Sequence, residues 1–330
     1  MPELTIAIPT YNRNEFVLRA VRGLLPQLTA DCRLMVLDNH SPIPVEETLR
    51  AALAEHPNAN CTILRHPLNM GGNANIVRCF ELCQTEWLWV LGDDDEVDPD
   101  AIATIFATIS ADPALVYMNF AAEGHPRGTD FVTVGAEDFA RGIDAFLHSN
   151  FISTCIYNHR AIKTQLNWGY QFAYSCAPHT LMVLLSLGES GRCLFSSKYI
   201  VHWQIAAPEQ QGPLTMAWLG FITMLEAPLS PKLRRLMFQA IIGERPELRV
   251  IARATYYAGF HKQDFETSKF MYDHMTYRLF YFERGLFLRP KIFLYRLPLM
   301  FPRIFEWLNQ SSARLTGRKI NPFPRTQRDQ

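Results

Sequence analysis

The sequence predicts an α/β fold with a doubly wound, mostly parallel sheet, followed by a helical C-terminal region. Three observations lead to this prediction. Short apolar runs alternate with helical stretches along the first 91 residues, which is typical of parallel strands joined by crossover helices. Polar residues directly follow several of these runs, and after Pro213 the pattern becomes helical. We therefore expect a sheet domain over residues 1–212 and a helical region with a basic aromatic tail over residues 213–330.

The predicted strands are short apolar runs bounded by turn residues, and the predicted helices carry apolar residues at helical spacing. Pro9 is expected to stop the first strand, Gly71-Gly72 to form a turn before the third helix, and Pro178 to lie in the first turn of a later helix. The predicted strands are residues 4–8, 33–37, 61–65, 87–91, 115–118 and 151–157. The predicted helices are residues 14–28, 45–55, 74–84, 179–187, 218–225, 231–242 and 249–260.

The composition, with 48% apolar and 19% charged residues in a chain of 330, is that of a globular protein. The formal net charge is zero, but residues 277–330 hold eleven Arg/Lys and three Asp/Glu, a balance of +8. The seven cysteines include no C-x-x-C pair, so we expect buried free thiols in a reducing cytoplasm and no zinc site. Met1-Pro2-Glu3 lacks the basic start of a signal peptide, and no apolar run approaches the ~18 residues of a membrane span.

Three consecutive aspartates, Asp93, Asp94 and Asp95, end an apolar run that begins at Trp87. Carboxylates at the end of a buried strand repel one another and lose hydration, so we expect a cation or the hydroxyl groups of a ligand to compensate them. Hard oxygen ligands suit Mg²⁺ or Mn²⁺ that carries phosphate. The alternative is a solvated acidic turn that caps the next helix, because Asp98-Pro99-Asp100 follows.

Polar residues follow three of the predicted strands. Thr10-Tyr11-Asn12 comes after the first strand, Asp38-Asn39 after the second, and Asp93–Asp95 after the fourth. In open α/β sheets, ligands bind in a crevice beyond the carboxyl ends of the strands. We therefore expect these three segments to converge on one edge of the sheet.

Four segments occur in this order: Thr5-Ile-Ala-Ile-Pro-Thr-Tyr-Asn-Arg13, Val36-Leu-Asp-Asn-His-Ser41, Asn69-Met-Gly-Gly-Asn-Ala-Asn75 and Asp93–Asp95. Together they resemble family 2 glycosyltransferases of the GT-A fold, in particular bacterial enzymes that build surface polysaccharides. The resemblance covers roughly residues 3–205. It implies a GT-A sheet, a nucleoside-diphosphate sugar as donor, and transfer with inversion at the anomeric carbon.

The resemblance also implies a role for each motif residue. Asp38 would accept the imide N–H of the base, which suits uracil or thymine and could suit guanine. Asp95 would ligate Mn²⁺ or Mg²⁺, and the metal would neutralise charge on the departing diphosphate. The other residues that the resemblance assigns to the donor are Pro9, Thr10, Tyr11 and Arg13 after the first strand, Arg65, Gly72 and Asn75 beside the base and diphosphate, and Asp93 and Asp94 at the ribose or sugar.

Each motif residue also has a structural interpretation. Tyr11 could be a packed aromatic residue, and Asp38 could cap its own turn with Asn39 and Ser41. Arg65 could pair with a surface carboxylate, and Gly71-Gly72 could serve only as a helix entry. The occurrence of all four segments in one order favours the family interpretation.

The family places its catalytic base, a carboxylate, at the opening of a later helix. The comparable stretch here, Ser175–Met182, contains no acid, and His179 falls at that place. An imidazole can accept the proton of the acceptor hydroxyl, so His179 is the candidate base. The alternative is that His179 caps or packs the helix, and Glu189 and Asp144 are the remaining carboxylate candidates.

A second histidine, His202, follows the predicted strand Tyr199–Val201. In several GT-A enzymes a histidine near this point joins the metal or the diphosphate, which makes His202 a candidate metal ligand. Lys198 could reach a phosphate. The alternative is that His202 and Trp203 pack in the core.

Residues 277–308 interleave aromatic residues with arginines, and prolines break them into short segments. Aromatic faces flanked by Arg and Lys favour the interface of an anionic bilayer, where a polyprenyl-linked acceptor would be presented. The alternative is a helical cap that packs on the sheet domain or on a second subunit of a homodimer. We find no pattern typical of nucleic-acid binding. We therefore expect a cytoplasmic enzyme that is peripheral on the inner face of the membrane.

Two other functions stay open at the level of sequence. Asp93-x-Asp95-x-Val97 also fits the pattern of phosphatases of the haloacid dehalogenase type, although three predicted strands precede it here and that family usually carries it on the first. The missing acid near His179 also allows a non-catalytic relative that binds sugar nucleotides. Hydrolysis of a phosphoester would favour the phosphatase, and binding without turnover would favour the non-catalytic relative.

Overall fold

The computed structural model describes residues 3–123, 126–143, 146–202 and 220–242, together with residues 307, 311, 314 and 315. The chain divides into two compact units, Met1–Pro208 with Met224–Ile241 and Glu209–Thr223 with Ile242–Gln330. Nearly all of the described residues belong to the first unit. The predicted boundary at residue 212 stays a prediction. The helix predicted over residues 249–260 and, apart from the four single positions, the basic tail lie outside the described residues.

Most of the described strands form one eight-stranded sheet, and two short ones form a ribbon. The strands are β1 (Leu4–Thr10), β2 (Cys32–Asp38), β3 (Cys61–Arg65), β4 (Trp87–Val90), β5 (Glu96–Val97), β6 (Leu115–Asn119), β7 (Phe131–Val134), β8 (Cys155–Asn158), β9 (Arg192–Phe195) and β10 (Val201–His202). The order in the sheet is β3-β2-β1-β4-β8-β6-β9-β7, and β5 pairs with β10. β1 to β4 run parallel, whereas β8 is antiparallel to both of its neighbours. The predicted α/β class is confirmed, with a sheet that becomes mixed after β4.

The helices lie mainly between these strands. They are α1 (Asn14–Leu24), α2 (Val45–Ala54), α3 (Gly72–Leu82), α4 (Ala101–Ala111), α5 (Ala136–Gly142), α6 (Phe146–Ser149), α7 (His159–Ile162), α8 (Leu166–Gln171), α9 (Pro178–Leu187) and α10 (Pro231–Ile242). Short 3₁₀ turns cover Leu25–Gln27, Ile152–Thr154, Lys163–Gln165, Ala173–Ser175 and Met224–Glu226. The predicted bounds of α2, α3 and α10 and of β2 to β4 agree with the structure within two residues.

Helices cover both faces of the parallel part of the sheet. On one face, Val17 of α1, Leu49 of α2 and Ile105 of α4 share a core with the inward residues of β1, β2 and β4. On the other face α3 packs on β1, and α8 and α9 pack on α3. Because both faces are covered, every residue of β4 and the first five of β1 are buried, which explains why these strands read as continuous apolar runs.

The prediction that Pro9 stops the first strand is wrong, because β1 continues through Pro9 to Thr10. The N–H of Leu91 donates to the carbonyl of Ala7. The backbone N–H and C=O groups of the odd-numbered residues of β1 therefore point towards β4. The pairing of β1 with β4 ends at Ala7 opposite Val90. The N–H that Pro9 lacks would therefore face a position where β4 has already ended, and the strand loses no ladder bond.

The strand predicted over residues 151–157 is shorter than expected. Ile152–Thr154 forms a 3₁₀ turn, and β8 begins only at Cys155. The turn directs the hydroxyl of Ser153 towards the backbone of Gly92 and the carboxylate of Asp95. These polar contacts replace ladder bonds, which a pattern of apolar residues does not reveal.

None of the helices in the described ranges combines the length and the apolar character that crossing a bilayer requires.

Candidate active site

The predicted convergence of polar segments is observed at the carboxyl ends of three adjacent strands. Thr10 at the end of β1 is in register with Asp38 at the end of β2, and the N–H of Asn39 donates to the carbonyl of Thr10. Gly92–Asp95 follows β4, the other neighbour of β1. We call these residues, 10–13, 38–41 and 92–95, the strand-end rim. A parallel sheet brings them together because all three strands end at the same edge.

Two rim residues bind the first two aspartates directly. The hydroxyl of Thr10 donates to Asp93 Oδ2 at 2.6 Å. The guanidinium of Arg13 spans two carboxylates, with Nη1 2.8 Å from Asp93 Oδ1 and Nη2 2.6 Å from Asp94 Oδ2. Charge-assisted bonds of this length are strong, so Asp93 and Asp94 have fixed orientations.

The third aspartate has a different partner. The hydroxyl of Ser153 donates to Asp95 Oδ2 at 2.5 Å and accepts a bond of 2.8 Å from the N–H of Gly92. A Cβ atom on Gly92 would lie 2.7 Å from Asp95 Oδ2 and 3.1 Å from Ser153 Oγ, which is too close. Glycine at this position therefore allows the carboxylate to approach the backbone.

The buried aspartates have raised pKa values. Asp93 and Asp95 are each only 5% exposed. Burial raises the pKa of Asp93 to about 6, with Asp94 adding to the effect and Thr10 and Arg13 opposing it. Burial raises the pKa of Asp95 to about 7; Ser153 opposes this, and the other two aspartates add to it. Two adjacent carboxylates with raised pKa values are costly to ionise together. A positively charged ligand would stabilise their ionised forms.

Asp38 is fully buried beneath the rim. It accepts hydrogen bonds from the N–H of Ser41 at 2.8 Å and of Val45 at 3.3 Å, and Arg65 Nη1 lies 2.8 Å from its Oδ2. Burial acts against the charged form, but these partners lower the pKa of Asp38 overall. Asp38 thus closes the loop that leads into α2, as its structural interpretation predicted. A ligand donor that reaches Asp38 would therefore have to share or displace one of these partners.

Asparagine side chains tie the loop before α3 to the rim. Asn39 Nδ2 donates to Asn69 Oδ1 at 2.8 Å, and its Oδ1 accepts from the N–H of Met70. Asn75 is buried and donates to the carbonyl of Leu37 at 3.1 Å, while its Oδ1 bonds the ring of His66 at 2.8 Å. The side chain of Asn75 therefore joins α3 to β2.

The N-terminus of α3 is open. Gly71 has φ +88°, a conformation that favours glycine, and no atom lies within 4 Å of a Cβ on Gly71 or Gly72. No side chain caps this helix. Unpaired N–H groups at the start of an eleven-residue helix attract negative charge. This geometry agrees with a diphosphate beside Gly72, and Tyr11 stands exposed on the neighbouring loop.

His179 lies at the start of α9 and is 3% exposed. Its Nε2 bonds the carbonyl of Asn150 at 3.0 Å, and its Nδ1 is buried without a hydrogen-bond partner among the described residues. Burial lowers the pKa of His179 to about 4. The ring is therefore neutral at pH 7, with Nε2 as donor and Nδ1 carrying a lone pair.

His202 stands in the ribbon of β5 and β10 and pairs with two carboxylates. Its Nδ1 lies 2.9 Å from Glu123 Oε1 and its Nε2 3.2 Å from Asp98 Oδ2. The bond to Glu123 and the charge of Asp98 raise the pKa of His202. In this arrangement both ring nitrogens are engaged, so metal ligation would require one of these pairs to open.

The donor set suits a divalent cation that is held in part by its substrate. Within the described ranges no group of three or more His, Cys, Asp or Glu residues could hold a metal by itself. Mg²⁺ and related ions are commonly bound by one or two carboxylates together with phosphate oxygens and water. Asp95, with Asp93 beside it, provides carboxylates of this kind, and burial raises the pKa of both, so a cation would offset the cost of ionising them.

Some contacts that define the site were not predicted. Ser153 is the clearest case, since no sequence motif marks it. Asn12 and His40 have positive φ values of 53° and 66°, and the N–H of Asn12 donates to Ser41 Oγ. These residues join the loops after β1 and β2.

The fold of this chain is found in solved structures of other proteins. The structure of S. aureus TarS residues 1–349 in complex with UDP has a TM-score of 0.58 and 12% identity, over 98% of this chain and 94% of that chain. The mannosyltransferase PcManGT from Pyrobaculum calidifontis, in complex with GDP-Man and Mn²⁺, has a TM-score of 0.55 and 10% identity, over 91% and 88% of the two chains. At such identities the likeness concerns the fold alone, and the predicted GT-A fold is confirmed.

The family follows from the sequence match. The family model described as glycosyl transferase family 2 matches residues 5–175, just over half of the chain. The chain therefore belongs to glycosyl transferase family 2 and is a glycosyltransferase, as predicted. The phosphatase interpretation has no support in these matches.

Curated relatives match over shorter stretches. The succinoglycan biosynthesis protein ExoW of Rhizobium meliloti is 27% identical over 112 residues, 33% of this chain and 35% of the relative. The abequosyltransferase RfbV of Salmonella typhimurium is 27% identical over 119 residues, which are 35% of this chain and 34% of the relative. The putative colanic acid biosynthesis glycosyl transferase WcaA of Escherichia coli is 26% identical over 106 residues, which are 32% of this chain and 37% of the relative. The matched part thus spans about a third of the length of each relative.

Proposed function

We propose that this glycosyltransferase is a metal-dependent, inverting enzyme that transfers a sugar from a nucleoside-diphosphate donor to a glycan or lipid-linked glycan during surface polysaccharide synthesis. The observation that carries the proposal is the strand-end rim, where Thr10, Arg13 and Ser153 hold three adjacent carboxylates beside an open helix N-terminus. The names of the curated relatives, which refer to polysaccharides and to an abequose transfer, support the substrate class.

For the donor, we propose that the base lies against Asp38 and the diphosphate lies between the triplet and Gly72. Asp38 stays ionised because its partners lower its pKa, so it can accept an N–H from the base. Uracil and thymine offer such a donor, and guanine offers a comparable one, whereas N3 of cytosine does not. UDP and dTDP sugars are therefore favoured and GDP sugars are second. Relatives of the same fold were solved with UDP and with GDP-Man.

We propose Asp95 as the principal protein ligand of Mn²⁺ or Mg²⁺, with His202 as a weaker candidate. When bound, the metal would neutralise the charge on the departing nucleoside diphosphate. Asp93 and Asp94, held by Thr10 and Arg13, would bind hydroxyl groups of the ribose or the transferred sugar. A carboxylate in a fixed orientation distinguishes sugars by the placement of their hydroxyls.

His179 stays the proposed base, with Nδ1 as the accepting atom. Its Nε2–H is committed to Asn150, which leaves the lone pair on Nδ1. A pKa of about 4 makes this nitrogen about as basic as an ordinary aspartate, the residue type that the family uses. Its burial requires the acceptor hydroxyl to enter next to α9. If His179 is instead a packing residue, which the burial of its Nδ1 favours, a non-catalytic sugar-nucleotide binder is the second candidate.

The acceptor and the membrane concern residues outside the described ranges. We propose that the tail, residues 277–330, binds an anionic membrane surface where a polyprenyl-linked acceptor is presented, with packing on a second subunit as the alternative. Co-sedimentation with vesicles that contain anionic lipid should fall when residues 277–330 are removed. Equal co-sedimentation of both proteins would end the membrane proposal, and a truncation that dissociates a dimer would favour the alternative.

The donor is tested by a thermal-shift screen of UDP, dTDP and GDP sugars with and without Mn²⁺. We expect stabilisation by a uridine or thymidine donor that depends on Mn²⁺ and is lost in Asp95→Asn. Slow release of free sugar and nucleoside diphosphate would show turnover without an acceptor. The absence of stabilisation by every nucleotide tested would overturn the proposed function.

A further inference from the structure

Among the described residues, one guanidinium, that of Arg13, forms ion pairs with the acidic triplet. Arg13 lies 2.8 Å from Asp93 and 2.6 Å from Asp94, so its two terminal nitrogens serve two different carboxylates. The same group lies over the ring of Phe16, with its central carbon 4.7 Å from the ring centroid. The planar fork is thus fixed by carboxylates at its edge and by an aromatic face beneath it.

The three carboxylates therefore differ in their compensation. Asp93 and Asp94 each form an ion pair with Arg13. Asp95 accepts a hydrogen bond from Ser153, and no ion pair to it is formed within the described residues. The buried, negative site is thus neutralised on one side and left without a cation on the other.

The charge of Arg13 has opposite effects on the two ligands of the proposed reaction. Positive charge in this partly buried site opposes a divalent cation that approaches the neighbouring Asp95, because like charges repel strongly where water is scarce. The same charge favours a diphosphate. When a diphosphate is bound, its negative charge attracts the cation in addition to the aspartates, two of which are neutralised by Arg13.

We propose that Arg13 is a built-in counter-ion of the triplet which makes cation binding depend on the presence of the donor diphosphate. Without ligands, Arg13 holds Asp93 and Asp94 charged and oriented. With the donor bound, the diphosphate completes the cation site at Asp95. The inference rests on the proposed function for the identity of the anion. Arg13 acts here as a positioning residue, through the two carboxylates that it binds.

The test measures the affinity for Mn²⁺ by titration of the free-ion electron paramagnetic resonance signal, with and without UDP or GDP. In the wild-type protein we expect the nucleotide to raise the Mn²⁺ affinity about tenfold or more, within the usual range of coupling between two sites. In Arg13→Met, which removes the charge and keeps an apolar stem over Phe16, the Mn²⁺ affinity without nucleotide should rise about tenfold. The enhancement by nucleotide should shrink correspondingly.

Arg19→Met is a matched control. Arg19 lies three residues after Phe16 in α1 with its central carbon 4.8 Å from the centroid of the Phe16 ring, and within the described residues it forms no ion pair with the triplet. This variant should keep the wild-type affinity and the wild-type enhancement. If Arg13→Met does not fold, Arg13→Gln replaces it, because glutamine retains hydrogen-bond donors for the carboxylates but carries no charge.

The outcomes separate this inference from the proposed function. Unchanged or weaker Mn²⁺ affinity in the uncharged variant, or an undiminished enhancement by nucleotide, would overturn the counter-ion role while leaving the transferase intact. If no nucleotide binds to any of the proteins, the donor proposal and the coupling both fail. A raised Mn²⁺ affinity of Arg13→Met in the absence of nucleotide would still support the opposition between Arg13 and the cation.

Discussion

Ser153 positions Asp95 from a turn 58 residues further along the chain, through a hydrogen bond of 2.5 Å from its hydroxyl to Asp95 Oδ2. The hydroxyl oxygen of Ser153 also accepts the N–H of Gly92, so the serine bridges the backbone and the side chain of the acidic segment. Asp95 is the carboxylate of the triplet that forms no ion pair with a guanidinium within the described residues, although the charge of Arg13 nearby still acts to lower its pKa. The hydroxyl is therefore the group that orients the proposed cation ligand.

Ser153→Ala should weaken cation binding more than it weakens the fold. Loss of a buried hydrogen bond costs about 1–2 kcal/mol of unfolding free energy. Because Asp95 loses the donor that stabilises its charged form, the Mn²⁺ affinity in the presence of UDP should fall about tenfold, measured by titration of thermal stabilisation. Ser186→Ala is the control, since the hydroxyl of Ser186 donates to the carbonyl of Met182 within α9 and not to a residue of the strand-end rim. Equal cation affinities in the two variants would contradict this role.

Asp38→Ala should destabilise the protein strongly, because it leaves two N–H groups and the guanidinium of Arg65 without their common acceptor. We expect a loss of about 3 kcal/mol in denaturant unfolding. Arg65→Met should cost less, since Arg65 is partly exposed and Asp38 keeps its bonds to the loop. If Asp38 also binds the base, Asp38→Asn should lower the affinity for UDP more than Arg65→Met does, measured by calorimetry. A UDP affinity of Asp38→Asn equal to that of the wild type would leave Asp38 as a loop cap alone.

His179→Gln distinguishes a base from a packing residue. Glutamine can keep the hydrogen bond to Asn150 but cannot accept the proton of an acceptor hydroxyl at neutral pH. Turnover in the presence of acceptor should fall about 10²–10⁴-fold, the usual contribution of a general base. The Mn²⁺-dependent stabilisation by the donor should not change. Turnover near the wild-type rate would remove His179 from the mechanism.

The low pKa of His179 also predicts a dependence of stability on pH. An unfolded histidine takes up a proton as the pH falls through about 6.5, whereas the buried ring does so only near pH 4. The free energy of unfolding therefore has its full value above pH 6.5. It should decrease by about 3 kcal/mol in total as the pH falls towards 4. The difference in unfolding free energy between wild type and His179→Gln, followed from pH 7 to pH 4, should change by that amount. A constant difference would show that the ring is accessible to solvent.

The sequence predicted those parts of the fold whose signals are local. β2 and β4 are largely buried runs, and their bounds were predicted within two residues because burial on both faces produces continuous apolar runs. β3 lies at the edge of the sheet and none of its residues is fully buried, so its bounds were predicted from the short run itself. Pro9 misled the prediction because a missing N–H matters only if a neighbouring strand stands opposite, and that depends on where β4 ends. Strand order of this kind is tertiary information.

The same distinction applies to the site. Asp93–Asp95 and Asp38 were found because they follow strand ends, and a parallel sheet brings such ends together. Ser153 was not found, since its importance arises from a contact across 58 residues rather than from a pattern. His202 was placed near the metal by resemblance, whereas in the structure it pairs with Glu123 and Asp98. Contacts between long, flexible side chains depend on their surroundings and are not encoded by residue type.

Gly92→Ala tests whether the approach of Asp95 to the backbone is needed. The new Cβ would meet Asp95 Oδ2 at 2.7 Å and Ser153 Oγ at 3.1 Å, so the carboxylate must turn away and the bond to Ser153 must lengthen. We expect the Mn²⁺ affinity in the presence of nucleotide to fall about tenfold or more, with a loss of about 1–3 kcal/mol in stability from the strained contact. Gly128→Ala is the matched control, because no atom lies within 4 Å of a Cβ at that position. Wild-type cation affinity in Gly92→Ala, measured by the same titration, would show that cation binding does not depend on this orientation of Asp95, and the cation site would then have to be assigned to Asp93 or Asp94.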